Sequence, residues 1–337
     1  MSDRPRRPGM ADVARLAGVS HQTVSRVLNT PHAVRLETRE RVENAIAELG
    51  YRRNMGARAL VTRRTHLLGV VVAQSGYFGP AQTSAGIQSA ARAQGFGTMV
   101  AATHEGTREE LSEIVDLFLD HAVEGVVLVA PQRGLFADPQ ALLTRIPHVV
   151  VADGVPDREG MCTVAVDQYA GARLAMDHLF SLGHERIAHL AGPASWFDAA
   201  QRERGWRDAL DERGLEQQVL LRGDWSGADG FTAGRKLLRE ALPDGIFVAN
   251  DLMAQGMLAA LSEADVRIPE DLSVVGFDDS PGVAYLRPGL TTVRQPFADL
   301  GALCVRVLLD LVEGNRPEPQ RIAPELVVRG STTVSRR

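Results

Sequence analysis

The sequence predicts an α/β fold: a small all-α helix-turn-helix unit at the N-terminus, then a larger body of two doubly wound parallel-sheet subdomains. Three observations point there. Two short amphipathic patterns flank a Gly-Val-Ser break within residues 11–29. From Leu67 onward, short apolar runs alternate with helical patterns. The formal charge of −5 is split between a basic head and an acidic body.

In ADVARLAGVSHQTVSRVLN the apolar positions are Val13, Ala14, Leu16 and Ala17 in the first helix and Val24, Val27 and Leu28 in the second. That spacing gives each helix one apolar face. Gly18 supplies the positive φ of a sharp turn, and the Ser20 hydroxyl is placed to accept from the first free amides of the second helix. The opposite face carries His21, Gln22, Ser25 and Arg26. Gln and Arg make paired hydrogen bonds to adenine and guanine edges in the major groove, although the pattern also suits a small bundle with a solvated polar face. A third helix, Leu36–Leu49, has apolar Val42, Ala45, Ile46 and Leu49 and ends at Gly50, a C-cap.

The body reads as nine strands, at 67–73, 97–102, 125–130, 148–153, 162–166, 186–192, 245–250, 273–278 and 290–295. Helical patterns fall at 168–182, 199–213, 252–264 and 297–313, with a further helix introduced by the capping box from Thr107 to Glu110. Short apolar strands alternating with helices argue for parallel sheets covered on both faces.

Residues 1–65 hold 13 Arg against 6 Asp or Glu, net +7, which leaves −12 for the remainder. A basic head on an acidic body is the footprint of a protein whose end touches phosphates. Arg4, Arg6 and Arg7 form a basic arm that either adds nonspecific phosphate attraction or is an idle tail. Cys162 and Cys304 have no metal or disulfide spacing, and no apolar run follows the basic N-terminus or is long enough to cross a bilayer. A cytoplasmic protein is expected.

The stretches DVARLAGVSHQTVSRVLN, TRERVENAIAELGY and NMGARAL resemble the LacI/GalR family of bacterial transcriptional repressors. Further likeness runs through HLAGP, RERGW, GDWSGADGF, VANDLMAQGML, SVVGFDDS and LTTVRQPF, so it covers essentially the whole chain. Two departures are Arg53, where the family usually has proline, and Arg35, where it usually has a Ser-like cap. The resemblance implies a headpiece over residues 1–53, a hinge over 54–65 and a periplasmic-binding-protein-like core over 66–337. Within that core, one subdomain spans about 66–165 and 297–324, the other about 166–296 and 325–333, with chain crossings near residues 165, 296 and 325. It implies Gln22 and Arg26 on bases with His21 as a further base candidate, and Ser20, Thr23, Ser25, Asn29 and Asn54 on phosphates. Tyr51 and Ala57 complete the DNA-facing set, with Leu60 as a minor-groove wedge. The partners implied are pseudo-palindromic operator DNA and, because the apolar tetramerising tail of one family member has no counterpart here, a single second copy of the chain.

Ligands of open parallel sheets bind at strand carboxyl ends, where this chain places Asp153, Asn250, Asp251, Asp278, Asp279 and Gln295. Carboxylates and amides there suit adjacent sugar hydroxyls, and Tyr77, Phe78, Trp196, Trp225 and Phe297 suit a pyranose's apolar face. The resemblance carries inducer contacts onto Tyr77, Gly79, Pro80, Thr83, Asp153, Asp198, Arg202, Trp225, Asn250, Asp278, Gln295 and Phe297. Each also has a plain reading as a turn residue serving the backbone, which is the reading favoured for Asp251 and Asp279. Val166 stands where a family member has phenylalanine, so the particular sugar is left open between β-galactosides and β-glucosides, with a purine-type corepressor as the alternative. No metal-ligand spacing, Ser-His-Asp order or phosphate loop is visible, so neither a cofactor nor an enzyme is expected. A solute-binding protein feeding a transporter is the remaining alternative, disfavoured by the basic head and the lack of a signal sequence.

Overall fold

The computed structural model describes residues 8–52, 64–73, 76–103, 107–129, 132, 144–155, 161–217 and 219–335. The chain divides into two compact units, Met1–Thr65 and His66–Arg337. The first holds α1 (Met10–Ala17), α2 (His21–Asn29) and α3 (Leu36–Leu49). Gly18 and Gly50 both adopt the left-handed conformation, φ +62° and +60°, which glycine reaches without the Cβ clash that penalises other residues. The Ser20 hydroxyl accepts from the Thr23 amide at 3.1 Å. No side chain caps α3, whose preceding residue is Arg35. Val13, Val24, Val27, Val42, Ala45 and Tyr51 close a core beneath the three helices.

The second unit contains two six-stranded sheets. The first has strands β1 (Leu67–Ala73), β2 (Gly97–Thr103), β3 (Gly125–Val129), β4 (His148–Val151), β5 (Cys162–Val166) and β11 (Gln320–Ile322), in the order β11-β5-β4-β3-β1-β2. The second has β6 (Ile187–Ala191), β7 (Leu220–Arg222), β8 (Gly245–Val248), β9 (Ser273–Asp278), β10 (Thr291–Arg294) and β12 (Glu325–Val327), in the order β12-β10-β9-β8-β6-β7. Each sheet is doubly wound, with a switch point beside its first strand, β1 or β6. Every pairing is parallel except β10 with β12. β12 follows β11 after only Ala323-Pro324, so the chain steps directly from the edge of one sheet to the edge of the other. The chain passes between sheets after β5, after β10 and between β11 and β12.

Helices α4 (Phe78–Ala93), α5 (Arg108–Asp120) and α10 (Phe297–Val312) cover the first sheet. Helices α6 (Gln168–Ser181), α7 (Phe197–Asp211), α8 (Gly227–Leu237) and α9 (Asp251–Ser262) cover the second. Apolar clusters fill both faces of each sheet, which explains why β3, β4, β8 and β9 are buried at every residue. The nine strands read from the sequence end within two residues of observed ones. Helices α4 and α8 and strands β7, β11 and β12 are additional to the expected elements. The strands are three residues each, too short for a period to show. The helices pack through glycines, which leave gaps in an apolar stripe.

Gly86 of α4 and Gly301 of α10 meet so closely that a Cβ on Gly301 would lie 2.2 Å from the Gly86 carbonyl carbon. Gly301→Ala must push α10 off α4, and overpacking of this kind costs ~3 kcal/mol. The expected result is a fall of about 6–12 °C in Tm by calorimetry. Ligand affinity should drop too, because both helices begin at the cleft described next.

Candidate functional site

The carboxyl ends of both sheets face a cleft of about 700 Å³, counting its open mouth. From the first sheet side come Tyr77, Phe78, Gly79, Pro80 and Thr83 at the start of α4, Asp153 just past β4, and Phe297 and Leu300 on α10. From the second come Gln168, Trp196, Asp198, Arg202, Trp225, Asn250, Leu252 and Asp278, with Gln295 on the connection between sheets. All twelve core residues expected from the resemblance line this cleft. Gln168 was missed, although it follows β5 at the same kind of strand end that drew attention to Asn250.

The floor is a hydrogen-bonded network. Gln168 Nε2 donates to Gln295 Oε1 (2.8 Å), and Gln295 Nε2 donates to Asp278 Oδ1 (2.7 Å). Arg202 Nε donates to Gln168 Oε1 (2.8 Å), Nη1 donates to the Ala249 carbonyl, and Nη2 lies 4.0 Å from Asp278 Oδ1. The guanidinium rests on Phe277, 3.8 Å from its centroid, a cation–π contact in a dry setting. The Arg202 guanidinium, expected among the inducer contacts, is therefore largely taken up by the protein itself, and it holds the floor rigid. Asp153 ties the two sides together. Its Oδ2 accepts from the Gln168 amide, its Oδ1 accepts from Arg321 Nε on β11, and its own amide donates to Asp198 Oδ1.

Asn250 also has a local task. Its Oδ1 caps α9 by accepting from the Met253 amide, and its Nδ2 donates to the Trp225 carbonyl at 3.1 Å. Trp225 sits at φ +76°, a conformation that costs a non-glycine residue ~1–2 kcal/mol, so Asn250 holds the indole's backbone in place. Gly192 makes room for that indole: a Cβ there would lie 2.2 Å from it. The Trp225 ring meets Trp196 edge-on at 5.4 Å and Trp196 meets Tyr77 at 5.2 Å, while Phe78 meets Phe297 at 5.8 Å. The buried Trp225 Nε1 has no acceptor among the described residues, and an unmet donor at a cleft wall is available to a ligand oxygen.

Asp251 and Asp279 serve the scaffold. Asp251 accepts from the Ser280 amide and the Thr292 hydroxyl, and Asp279 pairs with Arg294 and Arg329. His189 is sandwiched between Trp206 and Phe247 with Nδ1 donating to the Phe247 carbonyl, and burial pushes it down to about 4. Burial raises the carboxyls of Asp153, Asp198, Asp251 and Asp278, and mutual repulsion adds to this for Asp251 beside Asp278.

Asp198 is pushed up to about 6 from an ordinary 3.8. Between those values the folded state holds more protons than the unfolded one, so stability falls as pH rises through the interval and the loss is complete above it. Asp198→Asn keeps an acceptor for the Asp153 amide and removes the charge. It should stabilise the protein by ~1 kcal/mol at neutral pH, about 2–4 °C in Tm. The gain should shrink towards the ordinary carboxyl value and be accompanied by weaker ligand binding in a calorimetric titration.

In the first unit His21, Gln22, Arg26 and Asn29 are exposed on α2, whereas Val24 and Val27 are buried. Ser20 and Thr23 hydroxyls pair at 2.9 Å, and Asn29 Nδ2 donates to the Ser25 carbonyl at 2.9 Å. Their long neighbours Gln22 and Arg26 stand one turn apart on one face. Tyr51 belongs to the headpiece core, 9% exposed. Asn54, Ala57 and Leu60, like the arm residues Arg4, Arg6 and Arg7, lie outside the described residues. No group of His, Cys, Asp or Glu with metal-binding geometry occurs among the described residues, and no helix there is long and apolar enough to cross a membrane.

Residues 9–54 match the family model for bacterial regulatory proteins of the lacI family, and residues 176–332 match that for a periplasmic binding protein-like domain. The lactose operon repressor of Escherichia coli K12 is 35% identical over 326 residues, covering 96% of this chain and 90% of that protein. The crystal structure of the lac repressor dimer bound to operator and the anti-inducer ONPF superposes with a TM-score of 0.85 at 34% identity, over 97% of this chain and 100% of that one. A complex of the transcriptional regulator CelR with cellobiose gives 0.71 at 33% identity, over 96% and 100%.

Proposed function

The chain belongs to the lacI family of bacterial regulatory proteins, and we propose that it is a homodimeric transcriptional repressor released from operator DNA by a β-galactoside or β-glucoside. It is a DNA-binding regulator with a sugar-binding core, not an enzyme. The observation that carries the sugar assignment is the pairing of a polar floor, built by Asp278, Gln295, Gln168 and Arg202, with a wall of Tyr77, Trp196 and Trp225. A pyranose presents those two chemistries, hydroxyls at its edge and C–H groups on its face. The choice of β-glycosides is supported by relatives whose ligands are ONPF and cellobiose.

Two headpieces would read a pseudo-palindromic site through Gln22, Arg26 and His21. Ser20, Thr23, Ser25, Asn29, Tyr51, Asn54 and Ala57 would fix the backbone, and Leu60 would enter the minor groove. The sugar bridges Asp153 on one sheet to the floor of the other. It therefore favours one arrangement of the two sheets, and an effector shifts an equilibrium by its difference in affinity for the two states.

Calorimetry of the full chain against lactose, cellobiose and hypoxanthine, paired with gel shifts on candidate operators, tests this. Sugar binding that weakens the shift is expected. Binding of hypoxanthine alone, or a sugar that tightens the shift, would overturn the induction scheme. Indifference to duplex DNA at low salt would leave only a solute-binding protein.

A further inference from the structure

We infer that the cleft takes an uncharged ligand and rejects its phosphate ester, so that the sensed molecule is a free sugar and not a phosphosugar. The inference rests on the cleft being a sugar site and names which chemical form of the sugar it accepts.

The charges at the cleft give the reason. Three carboxylates line it, Asp153, Asp198 and Asp278, against one cation, Arg202, among the described lining residues. Arg202 offers little to a phosphate. Its Nε and Nη1 are bonded to Gln168 and Ala249, its Nη2 faces Asp278, and its plane lies on Phe277. Arg321 stands nearby but its Nε is committed to Asp153.

Helix N-termini, which attract anions elsewhere, are already supplied with anions from the chain. Asp167 caps α6 through the Ala170 amide, Asp198 sits in the first turn of α7, and Asp251 in the first turn of α9. Of the three helices that start at the cleft without a capping side chain, α7 carries Asp198 in its first turn, and α4 and α10 present the rings of Phe78 and Phe297 there. A phosphate ester, carrying about −1.5 to −2 at neutral pH, would face the three carboxylates with no uncommitted donor cation among the described lining residues.

Acceptors outnumber free donors at this floor, which suits hydroxyls: each donates to a carboxylate and accepts, for instance from Trp225 Nε1. The effector is accordingly the molecule as it exists before any phosphoryl transfer. The step that consumes it is a glycoside hydrolysis or a kinase reaction, and uptake coupled to phosphorylation does not deliver it in the form sensed.

The test is a calorimetric comparison of the full chain with cellobiose and cellobiose 6′-phosphate, lactose and lactose 6′-phosphate, and inosine and inosine 5′-monophosphate, with hypoxanthine as the free base. In whichever pair binds, the neutral member should bind at least ~100-fold tighter, the scale expected for burying like charges together. A phosphate ester that binds as tightly as its parent overturns the inference. Purine binding with no sugar bound removes the sugar reading, and the ratio of inosine to its nucleotide, with the phosphate titration below, then decides the charge inference.

Inorganic phosphate is titrated in parallel with the emission of Trp196 and Trp225 as readout. A saturable change overturns the inference even if no panel compound binds, and a flat response supports it. With a sugar pair that binds, Asp278→Asn should narrow the ratio between neutral and phosphorylated forms by ~10-fold. An unchanged ratio would show that charge does not set it.

Discussion

Replacing Arg202 with Met is expected to abolish the response to sugar while leaving DNA binding intact, so that the protein remains on its operator at any sugar concentration. Arg202 is 4% exposed, and its guanidinium joins Gln168, the Ala249 carbonyl and the ring of Phe277, with Asp278 opposite. Met preserves much of the side chain's apolar volume over Phe277 and removes the charge. Asp278, already raised by burial, then loses the cation beside it. Stranding a buried charge costs ~3–5 kcal/mol. The pH dependence fixes the cause: with its pKa raised further, Asp278 keeps a proton in the folded state over a wider interval. The variant's stability should therefore fall more steeply than the parent's as pH rises towards neutrality, and recover in acid. The double change Arg202→Met with Asp278→Asn separates folding from function, since no lone charge remains. It should regain most of the lost stability and none of the sugar affinity. If the single variant were as stable as the parent at neutral pH, the network would not be the strut described above.

Much of this is legible in the sequence wherever a residue's environment is set by its neighbours along the chain. The parallel strands are apolar at almost every position because both faces of each sheet are covered, and such runs stand out. Gly18, Ser20 and Gly50 announce the helix boundaries of the headpiece because caps and turns are local. Polar residues just past strand ends mark the cleft, since in a doubly wound sheet that is where side chains escape the core. Packing between distant segments is not legible. Helix α8 lies against α9 so closely that a Cβ on Gly256 would fall 1.8 Å from the Gly227 carbonyl oxygen. Three of the four buried positions of α8 are Gly230, Ala233 and Gly234, which leave little of an apolar stripe to detect. The duties of Arg202 and Asn250 are hidden for the same reason. Their chemistry suits the cleft, but Gln168 lies 34 residues from Arg202 and Trp225 lies 25 from Asn250, and the sequence does not say which partner consumes a donor. Asp198 reads as an ordinary carboxylate, and only burial beside Asp153 shows it to be one that resists ionisation.

Removing Arg26 should erase the distinction between operator and random duplex with no effect on the core. Arg26 is exposed on α2, between the buried Val24 and Val27, and its backbone carbonyl is used locally, accepting from the Thr30 amide and hydroxyl. Arg26→Ala therefore costs little stability. If the fork pairs with a guanine edge, each half-site loses ~1–3 kcal/mol of discrimination. Two half-sites on a dimer double that, so gel shifts should show operator preference collapsing by about one and a half to four orders of magnitude while calorimetry finds sugar affinity unchanged. An arginine bound to phosphate predicts something different. Affinity would fall equally on every sequence, and the slope of log K against log salt would lessen by ~0.9 for each phosphate no longer neutralised. Arg26→Lys divides the two cases, because lysine keeps the charge and lacks the planar pair of donors. Discrimination that never fell, with affinity lost in the alanine variant and recovered in the lysine variant, would place Arg26 on the backbone and leave Gln22 as the principal reader. Discrimination still absent, with the salt slope of the parent, would place its guanidinium on a base.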